Sequence, residues 1–234
     1  MRGPDGADDV AAEIGLAIAE DIDRVFSTRF FDSLQSGRIS LAGLGAFARE
    51  YYSASNGFAR ILAVACARMP TDELRLPFVQ NLWDEHGQGD VRRSHRSMLR
   101  RFLDYLQVAP EYESREKGPA ARYVQSMTQL CQEANEAAVI GALGPGCEYF
   151  TPREYRLIAT ALRAQFSIPD EALEFFLDHI SHDDLHIGSL DEALGLVVKG
   201  DGDMHDAIEG AKRSIQIEIT FWEDMYSLLF PCER

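Results

Sequence analysis

The sequence predicts an all-α protein, and three observations support this. Apolar residues recur every three to four positions along most of the 234 residues, which is the spacing of one face of an α-helix. No segment shows the two-residue alternation of a half-buried strand. No repeat, low-complexity tract or long linker divides the chain, and about 200–250 residues can share one core. We therefore expect a single domain over residues 1–234, a bundle of seven or eight helices, with residues 1–8 as a disordered tail.

Periodicity and capping residues place the helices in order along the chain. The first helix ends near Ser27, and Ser40 is a candidate N-cap for the second. Pro70 ends a third segment rich in Ala and Leu, and Pro110 stops a fourth near 72–108. The remaining helical segments are expected near 119–143, 152–166, 169–187, 189–198 and 203–230.

Charge and composition exclude several classes of function. The chain has 23 Lys+Arg against 38 Asp+Glu, a net charge of −15, which argues against a nucleic-acid-binding face and against adhesion to anionic membranes. No apolar run approaches the roughly 20 residues of a spanning helix, and the N-terminus does not resemble a secretory signal. The four cysteines form no C-x-x-C pair, which is typical of reduced thiols. We expect a cytoplasmic protein.

Five of the six histidines fall in two short windows that are also rich in carboxylates. In the second window, DHISHDDLH, three side chains at helical spacing (His179, Asp183 and His186) lie within about 60° of one another on an α-helix. A divalent transition metal would compensate the cost of burying such a stripe, because imidazole and carboxylate are its natural ligands. His182, on the flank of the stripe, is an alternative ligand or an orienting group. Without a metal, the stripe would be the solvated face of an exposed helix.

The first window, WDEHGQGDVRRSH, offers a second pair of candidate ligands. Glu85 and His95 are about 80° apart on an ideal helix and could converge if the helix bends at Gly87 and Gly89. Asp84 is better phased with His95, at about 20°. Spacing alone therefore leaves both carboxylates open.

A site for two metals needs a further carboxylate. Glu148 is the candidate because it stands alone after an apolar run, and Glu133 and Glu136 are its rivals. A lone glutamate is more often a cap or a surface residue. The neighbouring Cys147 is more often a small buried apolar residue than part of a site.

The order of these residues resembles the haem-oxygenase-like diiron oxidases and oxygenases, the iron-containing redox enzyme family. The resemblance covers residues 40–230, and its most specific part is the terminal H-x3-D-x2-H, followed by the DEHGQGD…H segment. It implies a haem-oxygenase-like bundle that binds no haem and holds two irons instead. Matched residue by residue, it implies three histidines and three carboxylates as metal ligands and catalytic residues: Glu85, His95, Glu148, His179, Asp183 and His186.

The resemblance also implies an activity. In such enzymes the Fe2+ pair reacts with O2 through a peroxo-diferric intermediate, which attacks a small substrate. It implies oxidation of a small amine or amino-acid-like substrate in specialised metabolism, by N-oxygenation or by oxidative C–C cleavage. Residues 51–71 contain no Asp or Glu, whereas some N-oxygenating relatives carry an extra carboxylate there, so the reaction type stays open. An external electron donor, a homodimer and a mixed Mn/Fe pair are also compatible with the resemblance.

Two other classes of function stay open. One is a metal-free enzyme on the same bundle, similar to the thiaminase-II and pyrroloquinoline-quinone synthase relatives. The other is a non-catalytic interaction protein in which a metal clips the helices together. Tyr51, Tyr52 and Trp222 are candidates for the wall of a substrate pocket, although each is more often an ordinary core aromatic.

Overall fold

The computed structural model describes the backbone of residues 5–109 and 118–233 and, within these ranges, all side chains except those of residues 5–8 and 181–187. This part of the chain contains ten α-helices and no strand, so the predicted all-α class is confirmed. None of the described helices is long and apolar enough to cross a membrane. The helices are α1 (Asp5–Phe26), α2 (Arg29–Gln35), α3 (Leu41–Arg68), α4 (Asp72–Glu85), α5 (His95–Tyr105), α6 (Pro119–Glu133), α7 (Glu136–Leu143), α8 (Thr151–Phe166), α9 (Glu174–Val197) and α10 (Asp201–Leu229).

The helix boundaries differ from the predicted segments at several places. The segments near 72–108 and 119–143 each divide into two helices, and the second division falls where the Asn135 side chain caps α7 by accepting from the Ala138 backbone N–H at 3.0 Å. The segments 169–187 and 189–198 form the single helix α9, since one glycine between them weakens a helix by about 1 kcal/mol without ending it. The second and third segments merge into α3, which Ser40 caps as predicted.

Two predicted boundaries lie at the edges of the described residues. Helix α1 begins at Asp5, inside the stretch expected to be a tail, and residues 1–4 lie outside the described residues. Pro110, the predicted stop after the fourth segment, also lies outside them, and α5 already ends at Tyr105.

An aromatic core joins α2, α3 and α10 on one side of the bundle. Trp222 is fully buried, and its ring stacks on Phe30 with centroids 4.4 Å apart. Tyr51 on α3 stacks on the same indole at 6.0 Å. Trp222 is therefore a core residue, and it holds Tyr51 and α10 in fixed relative positions.

Helices α7 and α10 cross in backbone contact on the other side of the core. A Cβ atom added at Gly141 would lie 2.2 Å from the Ala207 carbonyl oxygen, and one added at Gly210 would lie 2.0 Å from that of Ala138. Only glycine permits so close an approach. The π-helical turn that follows α7, Gly144–Glu148, is pressed against α10 in the same way. This contact fixes the position of the Glu148 backbone relative to α10.

Candidate metal centre

A cavity of about 80 Å³ lies among α3, α4, α5, α6, α8, α9 and α10, and four of the six predicted ligands line it. They are Glu85, His95, Glu148 and His179, which we call the metal end of the cavity. The first three are 5–8% exposed. Asp183 and His186 belong to the backbone of α9, but their side chains, like that of His182, lie outside the described residues.

Glu85 and His95 meet across a turn and not along a bent helix. Glu85 is the last residue of α4 and His95 the first of α5, and two short 3-10 turns connect them. Gly87 has φ +69°, and a Cβ there would lie 2.6 Å from the backbone of Arg93 and Ser94. This tight closure brings Glu85 Oε1 to 3.0 Å from His95 Nδ1.

The contact between these two side chains is not a satisfied hydrogen bond. His95 Nδ1 is buried and has no hydrogen-bond partner of adequate geometry among the described residues, although Glu85 Oε1 is so close. Burial lowers the pKa of His95, but Glu85 and two further carboxylates nearby outweigh this effect and raise the pKa overall. Neighbouring ligands on one metal ion are about 3 Å apart when each lies about 2.1 Å from the ion. The pair therefore has the spacing of two ligands on one cation. A cation bound through the lone pair of the His95 nitrogen would give that nitrogen a partner.

Glu148 is oriented by a residue that the sequence analysis missed. The Asn81 side-chain amide donates to Glu148 Oε1 at 3.1 Å, and both side chains are buried. Asn81 lies one helical turn before Glu85, so both face the cavity from α4. That i, i+4 spacing from a predicted ligand is the signal that could have found it. Cys147, next to Glu148, also lines the cavity and is half-buried.

The Phe175 carbonyl orients the His179 ring so that Nε2 is the nitrogen that could bind a metal. Its Nδ1–H donates to the Phe175 carbonyl oxygen at 2.7 Å, so Nε2 carries the lone pair. The ring packs against those of His95 and Tyr155, with centroids 4.3 and 4.7 Å away. The two imidazoles thus come from different helices and share one site.

The rival residues from the sequence lie elsewhere. Asp84 accepts a hydrogen bond from Gln88 at 2.8 Å and does not line the cavity. Neither Glu133 nor Glu136 lines it, and His205 is exposed. Of these candidate acids, Glu85 and Glu148 therefore face the cavity, and their role as metal ligands stays a prediction.

The described side chains alone do not form a complete metal site. Among them, no three His, Cys, Asp or Glu side chains are close enough together to hold an ion. Two of the predicted ligands fall in the part of α9 without described side chains. The residues at the metal end nevertheless fit non-haem iron, because imidazole and carboxylate are its ligands and the His95 nitrogen is orphaned.

The same cavity has a second polar group of residues: Tyr51, Tyr123, Glu154 and Glu218, which we call the carboxylate end. The Tyr51 hydroxyl donates to Glu154 Oε1 at 3.3 Å. Burial raises the pKa of both tyrosines well above the ordinary value, so their hydroxyls stay protonated. Of the predicted wall residues, Tyr51 lines the cavity, whereas neither Tyr52 nor Trp222 does.

Comparison with known proteins gives the fold and the family. The family model described as iron-containing redox enzyme matches residues 45–219, and no curated protein matches the sequence. Similar solved structures include a CADD-like protein of unknown function from Nostoc punctiforme, with a TM-score of 0.81 and 15% identity over 95% of this chain and 98% of that one. A TenA homologue from Pyrococcus furiosus gives 0.69 and 16% over 93% and 100%. Haem oxygenase-1 from the cyanobacterium Synechocystis, in complex with haem, gives 0.66 and 9% over 96% and 95%.

These likenesses confirm the predicted haem-oxygenase-like fold, and at 9–16% identity they show the fold alone. The family model is more informative, because it matches well over half of the chain and spans α3 to α10. The chain belongs to the iron-containing redox enzyme family.

Proposed function

We propose that this protein is a non-haem diiron enzyme that uses O2 to oxidise a small amine or amino-acid-like substrate. The observation that carries the proposal is the buried His95 nitrogen, which has no hydrogen bond among the described residues and lies 3.0 Å from the Glu85 carboxylate in the cavity. Membership of the iron-containing redox enzyme family supports iron as the metal.

Six residues would hold the two irons: Glu85, His95, Glu148, His179, Asp183 and His186. When bound, the irons supply the redox chemistry that activates O2. The chain's own residues position the ligands: Asn81 holds the Glu148 carboxylate, and the Phe175 carbonyl fixes the His179 ring. The rings of Phe175 and Tyr155 pack on His179 and hold the imidazole in place.

Charge supports an amine as the substrate. The net charge of −15 attracts cations over long distances, and the described residues of the cavity wall include four glutamates and neither Lys nor Arg. N-oxygenation and oxidative C–C cleavage both begin from such a substrate. O2 is the co-substrate, an external donor supplies electrons where the reaction requires them, and the cytoplasm is the expected compartment.

Anaerobic reconstitution with Fe(II) tests the proposal. Bound iron is measured first, and the loaded protein is then mixed with O2-saturated buffer in a stopped-flow spectrometer. We expect about two irons per chain, as in other carboxylate-bridged bundle sites, and a transient visible absorption band that candidate amines alter. Tight iron without a transient, with or without amines, would contradict the oxidase.

Two variants separate the diiron enzyme from its alternatives. His186→Ala should lose iron and activity while the fold stays intact, whereas His205→Ala, at an exposed histidine on α10, should retain both. A large fall in Tm for His186→Ala would indicate a structural metal clip instead. Failure of the unchanged chain to take up iron would favour the metal-free enzymes on this bundle.

A further inference from the structure

Two acids in the cavity, one buried and one half-buried, are not needed by the metal centre. Glu154 lies in the first turn of α8, where the helix dipole favours a carboxylate, and it is 5% exposed. Glu218 lies on α10, half-buried, one turn before Trp222. Both line the cavity that also holds the metal end.

Glu154 and Glu218 both act electrostatically on the two tyrosines of the carboxylate end. Burial is the largest cause of the raised pKa of Tyr51 and of Tyr123, and the charges of these two acids are further causes. Burial raises the pKa of Glu218 itself to about 7, although the indole of Trp222 opposes this. The Trp222 nitrogen is fully buried and forms no hydrogen bond of adequate geometry with the described residues. Burial thus opposes the ionised form of Glu218, and a bound cation would favour that form.

Aromatic rings line the same cavity as Glu218. The rings of Tyr51, Tyr123 and Phe221 line the cavity, and Tyr123 and Phe221 pack with centroids 5.3 Å apart. Aromatic faces attract ammonium groups through their quadrupoles, most strongly where water is excluded. The described residues of the wall include neither lysine nor arginine.

One aromatic ring contacts residues at both ends of the cavity. Tyr155 packs on His179 at 4.7 Å and also interacts with the hydroxyl of Tyr51. Both ends line one cavity of about 80 Å³, a volume that suits a molecule of a few heavy atoms.

We propose that the carboxylate end is an ammonium-binding subsite, in which Glu218, assisted by Glu154 and the hydroxyls of Tyr51 and Tyr123, anchors the protonated amino group of the substrate. The proposal rests on the proposed function and deepens it by assigning the amine to one end of the cavity. A primary alkylamine is protonated at neutral pH and donates three hydrogen bonds, which these acceptors can receive. The part of the substrate beyond the amino group then extends towards the metal end.

Calorimetric titration with n-propylammonium and with its neutral counterpart n-propanol tests the subsite. The protein is loaded with Fe(II) and kept anaerobic, so that binding is measured without turnover. We expect the unchanged chain to bind n-propylammonium at least about tenfold more tightly than n-propanol, because hydrogen bonds between charged partners are stronger than those of a neutral hydroxyl. Glu218→Gln should abolish most of this preference, and Glu218→Asp should retain part of it.

The matched control is Glu209→Gln, which removes the same charge from an exposed position on α10 and should leave the preference unchanged. Circular dichroism and bound iron show that each variant is folded and loaded. Equal affinities for the two probes in the unchanged chain, or an undiminished preference in Glu218→Gln, would overturn the subsite and leave the iron proposal standing. If the chain takes up no iron, the same titrations on metal-free protein decide the subsite independently.

Discussion

The two ends of the cavity differ in how their buried polar groups are satisfied. At the carboxylate end, the Tyr51 hydroxyl donates to Glu154, so an acid finds a neutral donor within the protein. At the metal end, His95 Nδ1 and Glu85 Oε1 lie 3.0 Å apart, yet the nitrogen has no hydrogen bond among the described residues. An unsatisfied buried polar group costs about 1–3 kcal/mol.

This difference indicates what each end can bind. A metal ion would join the imidazoles and carboxylates of the metal end, whereas the carboxylate end already has hydrogen-bond donors in its tyrosines, and its described wall residues include neither Lys nor Arg. Bound iron should therefore affect the first end strongly and the second end weakly.

Removing an imidazole should strongly reduce iron binding at the metal end. In His95→Ala, bound iron per chain should fall to half of the unchanged value or less, because one iron loses a nitrogen ligand that no nearby group replaces. Iron is measured by elemental analysis after removal of unbound metal. A variant that keeps its full complement of iron would show that His95 is not a ligand.

Neutralising Glu218 should stabilise the metal-free protein. Because burial raises the pKa of Glu218 to about 7 from an ordinary value of 4.5, the native state loses stability as the pH rises through that interval. Glu218→Gln should therefore raise the free energy of unfolding by about 2 kcal/mol at pH 8, less than the full shift implies because the carboxyl is half-buried. The gain should shrink at pH 5. Urea unfolding at both pH values measures the gain in stability. Glu154, Tyr51 and Tyr123 line the same cavity as Glu218. A gain that does not depend on pH would show that titration of Glu218 is not its cause.

Loss of the amide that orients Glu148 should weaken iron binding without abolishing it. Asn81→Ala should lower iron affinity about tenfold, as is usual when a group that holds a ligand is removed. Competition with a chelator measures the affinity. An unchanged affinity would mean that the Asn81–Glu148 hydrogen bond is replaced by metal coordination at the same oxygen.

The smallest effect is expected at the carboxylate end. Tyr51→Phe removes the donor to Glu154 and should cost about 1 kcal/mol of unfolding free energy, the usual net contribution of one hydrogen bond. Bound iron should not change. A fall in iron comparable to that of His95→Ala would show that the two ends act as one site.

Local spacing was sufficient to predict much of this arrangement. The capping role of Ser40 and the all-α class follow from properties of a few neighbouring residues, and the structure confirms both. Helical phase could not decide between Glu85 and Asp84, because α4 ends at Glu85 and the residues between it and His95 do not continue the helical repeat. Family resemblance made that choice, and the structure places Glu85 in the cavity.

The carboxylate end could not be predicted from local pattern. Glu154 and Glu218 each stand on a helix with polar residues nearby, and a lone glutamate on a helix usually faces water. Their burial depends on how α8 and α10 are rotated about their axes, and tertiary packing sets that rotation. The contact of Gly141 and Gly210 with the opposing backbone is one determinant, and its steric meaning becomes visible only when both helices are in place.

The turn between α4 and α5 has a consequence for finding related proteins. Since Glu85 ends one helix and His95 begins the next, the number of residues between them is not tied to the helical repeat. Insertions or deletions in the turn can leave both side chains where they are, provided that the chain still reverses tightly after α4, as Gly87 allows here with its positive φ. A search pattern with a fixed ten-residue gap would therefore overlook relatives with the same pair of side chains, whereas one that requires a glycine-containing turn of variable length would retain them.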